Sequence, residues 1–188
     1  MSGKLLIVVA LSIALLPTVV LGQTYESTTH LMISGGTSTP VRGLNEFWST
    51  GPHGRLTIRF PMGGTLWGGL QGGVVGLGTD ESNSELVQFP LRVLAYFPLA
   101  PEASGTPYIA FGVGATVNKF SCRDKIKTCY LDEAKNNVAY TVAVGYTMRP
   151  EAMAHAFFDF GIRYDQQIVN NKNDYIDIGV EVGIGLCL

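Results

Sequence analysis

From Ile176 to the end of the chain, every second residue is a branched aliphatic: Ile176, Ile178, Val180, Val182, Ile184, Leu186 and Leu188. Between them stand Asp177, Gly179, Glu181, Gly183, Gly185 and Cys187, preceded by Tyr175. A period of two sustained over this length predicts a β-strand, because successive side chains of an extended chain point to opposite faces. One face would be wholly aliphatic and the other small, with two carboxylates. An apolar outside and a small or polar inside, over at least the ~9–11 residues a tilted strand needs to cross a bilayer, is the pattern of a membrane-spanning barrel strand.

The same alternation recurs upstream. Ser27 to Gly36 sets Leu31 and Ile33 against His30, Met32 and Ser34, and Gly54 to Met62 sets Leu56, Ile58, Phe60 and Met62 against Arg55, Thr57 and Arg59. Glu85 to Phe97 sets Val87, Phe89, Leu91, Val93, Ala95 and Phe97 against Gln88, Arg92 and Tyr96. Tyr108 to Asn118 and Val138 to Met148 alternate aliphatics and aromatics with Ala, Gly and Thr. Ala154 to Asp165 sets Phe158, Phe160, Ile162 and Tyr164 against His155, Asp159, Gly161 and Arg163. Thr65 to Gly78 is also extended, but its paired glycines leave its phase open and suggest bulges or strong coiling. Its glycines do not read as a phosphate cradle, because no Lys-Ser/Thr pair and no helical pattern follows them.

Taken together these segments predict an all-β fold, an eight-stranded antiparallel up-and-down transmembrane β-barrel. The connections at 37–53, 79–84, 119–137 and 166–173 would lie at one end, and those at 63–64, 98–107 and 149–153 at the other. Alternation alone does not separate this from a soluble barrel with an apolar inside. The minority face decides: Ala139, Thr141, Ala143, Gly145 and Thr147 would make a nearly uncharged water-facing surface, but they suit a narrow lumen. Trp67, Phe97, Tyr108 and Tyr146 near one set of strand ends, and Phe89 and Tyr164 near the other, predict interfacial girdles.

The first residues change the picture of where the chain acts. Lys4, an apolar run from Leu5 to Leu16, Pro17, and Gly22 before a polar stretch read as a secretory signal peptide over 1–22, leaving a barrel domain over 23–188. The formal net charge is −2 with no basic run, so no nucleic-acid partner is expected. Three cysteines fit an exported protein. Cys122 and Cys129 share one polar stretch and predict a loop disulfide, whereas Cys187 reads as a buried small residue. Two thiols without a nearby histidine or second pair make a metal site a poor reading, and no cofactor is expected.

Two stretches resemble a known family: Gly35 to Pro40 with Phe47 to Gly51, and Pro107 to Gly114 with its Pro-Tyr and Gly-x-Gly. They are similar to the first strand and loop, and to a mid-barrel strand, of the OmpA/OmpX-type small outer-membrane barrels, the porin-family or outer-membrane β-barrel domain proteins of Gram-negative bacteria. The resemblance implies location in the bacterial outer membrane, contact with outer-membrane lipid, and a barrel-assembly machinery during biogenesis. The family usually ends on an aromatic residue, where this chain has Leu188.

The expected function is non-enzymatic: a barrel that supports the membrane and presents its outer loops to a surface partner the sequence does not name. A narrow pore for small solutes stands second. A lipid-modifying enzyme is third, since His30, His53 and His155 occur in no serine-containing motif like that of the barrel acylases. A periplasmic lipid-binding barrel comes last. The inward charges, Arg59, Arg92, Asp159, Arg163, Asp177 and Glu181, predict a side-chain cluster that closes the lumen. Pairing Arg163 with Asp177 in the last hairpin would set Asp159 opposite Glu181, within reach of Arg59 and Arg92.

Overall fold

The computed structural model describes residues 28–42, 48–63, 65–78, 84–99, 105–122, 135–150, 152–153, 155–169 and 174–188. They form eight strands: β1 (His30–Arg42), β2 (Gly51–Gly63), β3 (Leu66–Gly78), β4 (Ser84–Pro98), β5 (Gly105–Cys122), β6 (Lys135–Met148), β7 (Ala156–Ile168) and β8 (Tyr175–Cys187). Each pairs antiparallel with its neighbours in sequence, and β8 returns to β1, so the sheet closes on itself. Closure leaves no strand edge unpaired, which is how a barrel satisfies its backbone where water is absent. The expected segment over 1–22 and the residue Cys129 lie outside the described residues.

The barrel is apolar outside and polar inside. Ile33, Leu91, Val113 and Val138 point outward and are between 62 % and 64 % exposed. The arginines Arg55, Arg59, Arg92 and Arg163 and the carboxylates Asp159, Asp165, Asp177 and Glu181 point inward, and none is more than 5 % exposed. In β3, Trp67, Gln71, Val75 and Leu77 are buried, whereas Leu70 and Val74 are exposed. That resolves the phase the glycines obscured: odd positions face the lumen.

Several expected boundaries shift. β1 continues through Thr37–Pro40 to Arg42, and β2 begins at Gly51, so the first connection is shorter than 37–53. Ser and Thr occupy both faces there, and alternation between polar and polar leaves no pattern to read. β7 likewise runs past Asp165 to Ile168, β6 begins at Lys135, and β5 reaches Cys122, which therefore stands at a strand end rather than within a loop. Two residues expected in an aromatic girdle are elsewhere. Trp67 and Tyr108 are only 3 % and 5 % exposed and pack inside the barrel with Tyr96. Phe89 and Tyr146 do face outward.

The last hairpin is in a different register from the one expected. Asp159 lies opposite Gly183, Arg163 opposite Gly179, Gly161 opposite Glu181, and Asp165 opposite Asp177. A slip of two residues keeps every side chain on its own face, so the hydrophobic pattern that forbids a one-residue slip is blind to it.

Gly36 marks a close approach of two strands: a Cβ there would lie 1.9 Å from the backbone oxygen of Val180 on β8. At Gly54 an added Cβ would meet nothing within 4 Å. Gly36→Ala is therefore expected to lower the urea midpoint of the refolded barrel clearly, because backbone must move, while Gly54→Ala leaves it unchanged. Equal midpoints for the two variants would contradict this reading of the β1–β8 contact.

The charged lumen as candidate functional site

Alternation on four strands delivers the lumen's charges to two levels. Near the end that carries the chain termini, Arg59 on β2 meets Asp159 on β7, with Nη1 to Oδ2 at 2.9 Å. Thr147 donates to the same carboxylate oxygen at 2.7 Å, and the Tyr108 hydroxyl donates to the other at 2.7 Å. The Arg59 guanidinium also lies 4.4 Å from the ring centre of Tyr96 and 4.9 Å from that of Tyr108. A cation against aromatic faces, away from water, gains from both the ring quadrupole and the ion pair.

The second level is larger and is centred on Glu181. Arg163 Nη2 donates to its Oε1 at 2.8 Å, and Arg55 Nη1 donates to its Oε2 at 3.0 Å. Arg55 bridges onward through Nη2 to Asp165 at 3.0 Å, and Arg163 reaches Gln71 through Nη1 at 2.7 Å. Asp165 also accepts from Thr141. Towards the opposite mouth Ser38 donates to Asp177 at 2.6 Å, and Asn118 donates to Gln167 at 2.9 Å. Beyond them Val75, Leu77 and Leu86 form an apolar cluster against which Trp48 and Tyr175 pack. Four buried arginines thus face four buried carboxylates. Burying that many charges is tolerable only when each is paired and hydrogen-bonded.

The six residues picked out by sequence all point into the lumen, but they do not form one group. Arg59 meets Asp159, and Arg163 meets Glu181. Arg92 meets neither Asp159 nor Glu181. Its Nε is 4.0 Å from Asp165, and its other donors go to Thr116 at 2.8 Å and to the backbone oxygens of Leu91 and Ala115 at 3.0 and 2.6 Å. The expected juxtaposition of Asp159 with Glu181 is replaced by Asp165 with Asp177, a consequence of the register.

Sequence reasoning missed three participants. Arg55 lies on the inward face, four residues from Arg59 with the same parity, and belongs to the network the sequence reading confines to six residues. Asp165 reads as a strand end because the alternation beyond it is polar on both faces. Tyr108 reads as a girdle residue, whereas it points into the lumen. Cys122 is the last residue of β5, and its expected partner Cys129 is outside the described residues.

No family model matches the sequence, and no curated protein sequence matches it. Among solved structures, Neisserial surface protein A aligns over 85 % of this chain and 97 % of its own, with 10 % identity and a TM-score of 0.66. Ail, the attachment invasion locus protein of Yersinia pestis, aligns over 87 % of this chain and all of its own, with 14 % identity and a TM-score of 0.59. The fold is that of a small outer-membrane β-barrel. The N-terminal β-barrel domain of Pseudomonas aeruginosa OprF is similar as well, over 85 % of this chain and 97 % of that domain, with 11 % identity and a TM-score of 0.52.

Glu181 and Asp177 make the energetic argument testable. Glu181→Gln leaves Arg55 and Arg163 each short of a carboxylate oxygen, and removing one member of a buried ion pair costs ~3–5 kcal/mol. Asp177→Asn keeps an acceptor for Ser38 and relieves a carboxylate placed opposite Asp165, which like charges across a ladder disfavour. Urea unfolding of the refolded barrel should show a large loss for the first variant and none, or a gain, for the second. The reverse order would mean that the pairs do not hold the lumen.

Proposed function

We propose that this chain is a non-enzymatic integral barrel of the bacterial outer membrane, with its lumen closed by side chains and its longer loops presented outside the cell. The observation that carries the reading is the pairing across the lumen: Arg59 with Asp159, and Arg55 with Asp165, reach from β2 to β7 at two depths, while Arg55 and Arg163 share Glu181 beside the second pair. An interior so filled leaves no continuous path for a solute, and eight strands enclose little more than the width of such side chains. The apolar outside supports a lipid environment, since a water-soluble barrel of this size would place its aliphatic residues inward. In this reading the connections β1–β2, β3–β4, β5–β6 and β7–β8 face outward from the cell and both termini face the periplasm. Outer-membrane lipid is the constant partner, the barrel-assembly machinery a transient one, and a surface partner engages the loops.

We include a Cys122–Cys129 bridge in this reading, as a staple of the β5–β6 connection in an oxidising compartment. Free-thiol labelling of the folded protein tests it; modification of both residues would remove the bridge from the account.

The experiment for the closed lumen is conductance in a planar bilayer. Purified, refolded protein should insert without producing discrete current steps in molar potassium chloride. Regular unitary steps that disappear on heat denaturation would favour the narrow-pore reading instead.

A further inference from the structure

One sector of the lipid-facing wall breaks the aliphatic belt. In the half of β1 and β2 nearer their connection, the outward positions are Gly35, Thr37 and Thr39 on β1, and Pro52 and Gly54 on β2. Gly72 and Gly76 continue the sector on β3, on either side of the outward Val74. The Thr39 hydroxyl lies 2.9 Å from that of Thr50, on the exposed surface. The other half of the same three strands is aliphatic outside, with Ile33, Leu56, Ile58 and Leu70 exposed. So is the outside of β4 and β6, where Phe89, Leu91, Val93, Val138 and Val144 are exposed.

Packing does not require the glycines of this sector. A Cβ added at Gly54 or Gly76 would meet nothing within 4 Å, and one at Gly35 or Gly72 would make only ordinary contacts, at 3.5 and 3.4 Å. Backbone conformation does not require them either, since Gly63 is the one glycine with a positive φ among the described residues. Gly36, Gly51 and Gly114 are different: a Cβ there would fall 1.9, 1.7 and 1.9 Å from a backbone oxygen. The bare sector is therefore a property of the outer surface, not of the wall behind it. Its depth can be compared with that of β8, where Val180 pairs with Thr37 and Ile178 with Thr39. Strands ~4.7–4.9 Å apart and tilted by ~35–45° place such partners within ~3 Å of one depth. Val180 and Ile178 are aliphatic and 54 % and 41 % exposed. A hydroxyl-bearing surface and an aliphatic one thus stand side by side at nearly the same level.

We propose that the hydrocarbon layer is locally thinned along this sector, so that hydrated lipid headgroups descend to Thr37 and Thr39 while acyl chains still cover Val180 and Ile178. Glycine and hydroxyl groups offer acyl chains little apolar surface, and polar groups facing hydrocarbon are unfavourable. A bilayer answers a short apolar span by thinning, at a modest cost per ångström. Headgroups and their water supply the hydroxyls with hydrogen-bond partners. The outward positions of the sector carry no charged residue, so the contact is with the polar interface as such and not with one headgroup. That this is the outer leaflet rests on the orientation proposed above; the thinning rests only on the barrel's lying in a membrane.

The test is nuclear Overhauser spectroscopy of the whole barrel in phosphatidylcholine nanodiscs, with the methyl groups of Thr, Ile, Leu and Val labelled. The methyls of Thr37 and Thr39 should show cross-peaks to choline and water protons and none to acyl methylenes, while those of Ile178, Val180 and Leu91 show the reverse. A variant carrying Thr37→Val, Thr39→Val and Gly54→Leu together restores an apolar surface, and its new methyls should lose the choline contacts and gain acyl ones. Acyl cross-peaks at Thr37 and Thr39 like those of Ile178 would overturn the proposal, and so would choline contacts that survive in the variant. Isotope-filtered cross-peaks from Thr37 and Thr39 to a second copy of the chain would overturn it in favour of self-association. Should the variant not refold, the wild-type contrast between Thr39 and Ile178 decides alone. Absence of acyl contacts at Ile178 and Leu91 as well would mean that the membrane reading itself had failed, and this inference with it.

Discussion

The structure depends on charge neutralisation inside a closed wall. Once eight strands close over inward-facing arginines, those side chains have no bulk water to turn to, and each must find an acceptor within the lumen. Arg59 finds Asp159, Arg55 and Arg163 share Glu181, and Arg92 turns to Asp165, two threonines and two backbone oxygens. Such pairs are weak evidence for stability when compared with well-packed hydrophobic groups, because desolvation offsets most of the attraction. They are strong constraints on arrangement, since a misplaced partner strands a buried charge. In the proposed reading the same pairs that neutralise the lumen also occlude it.

The wall and its filling are complementary in another way. Small residues on β5, β6 and β8, such as Gly112, Gly145 and Gly179, face inward and give room to Leu94, Tyr108 and His53 respectively. Where that room is tightest the backbones themselves touch, as at Gly36 against β8. Along the axis the contents are graded. Aromatic rings around His30 and Trp67 stand at the termini-side mouth, ion pairs follow, and an aliphatic cluster stands at the far mouth. The two mouths are therefore chemically different, one aromatic and the other aliphatic.

Most of the wall was legible in the sequence. The alternation in β8 and β6 needed only the pleat, and it also fixed which face of each strand carries its charges. Legibility failed where the pattern had no contrast. The Ser/Thr run of β1 is polar on both faces, β3 is glycine on both, and the tail of β7 around Asp165 is polar throughout. The identity of the ion pairs failed for another reason. Parity placed Arg59, Arg163, Asp159 and Glu181 inside, but a two-residue change in the β7–β8 register preserves parity while exchanging Glu181 for Gly183 opposite Asp159. Which arginine meets which carboxylate is set by three-dimensional closure, and one strand's pattern does not contain it.

The most direct measurement is a double-mutant cycle across the lumen, with Arg59→Met, Asp159→Asn and the double variant unfolded by urea from lipid vesicles. Residues in one buried network couple by ~0.5–3 kcal/mol, and an ion pair that bridges opposite walls belongs in the upper part of that range. The expected result is a coupling of at least ~2 kcal/mol, with the double variant more stable than Asp159→Asn alone because it strands no charge. Additivity within ~0.3–0.5 kcal/mol would contradict the claim that charge pairing across the lumen organises this barrel.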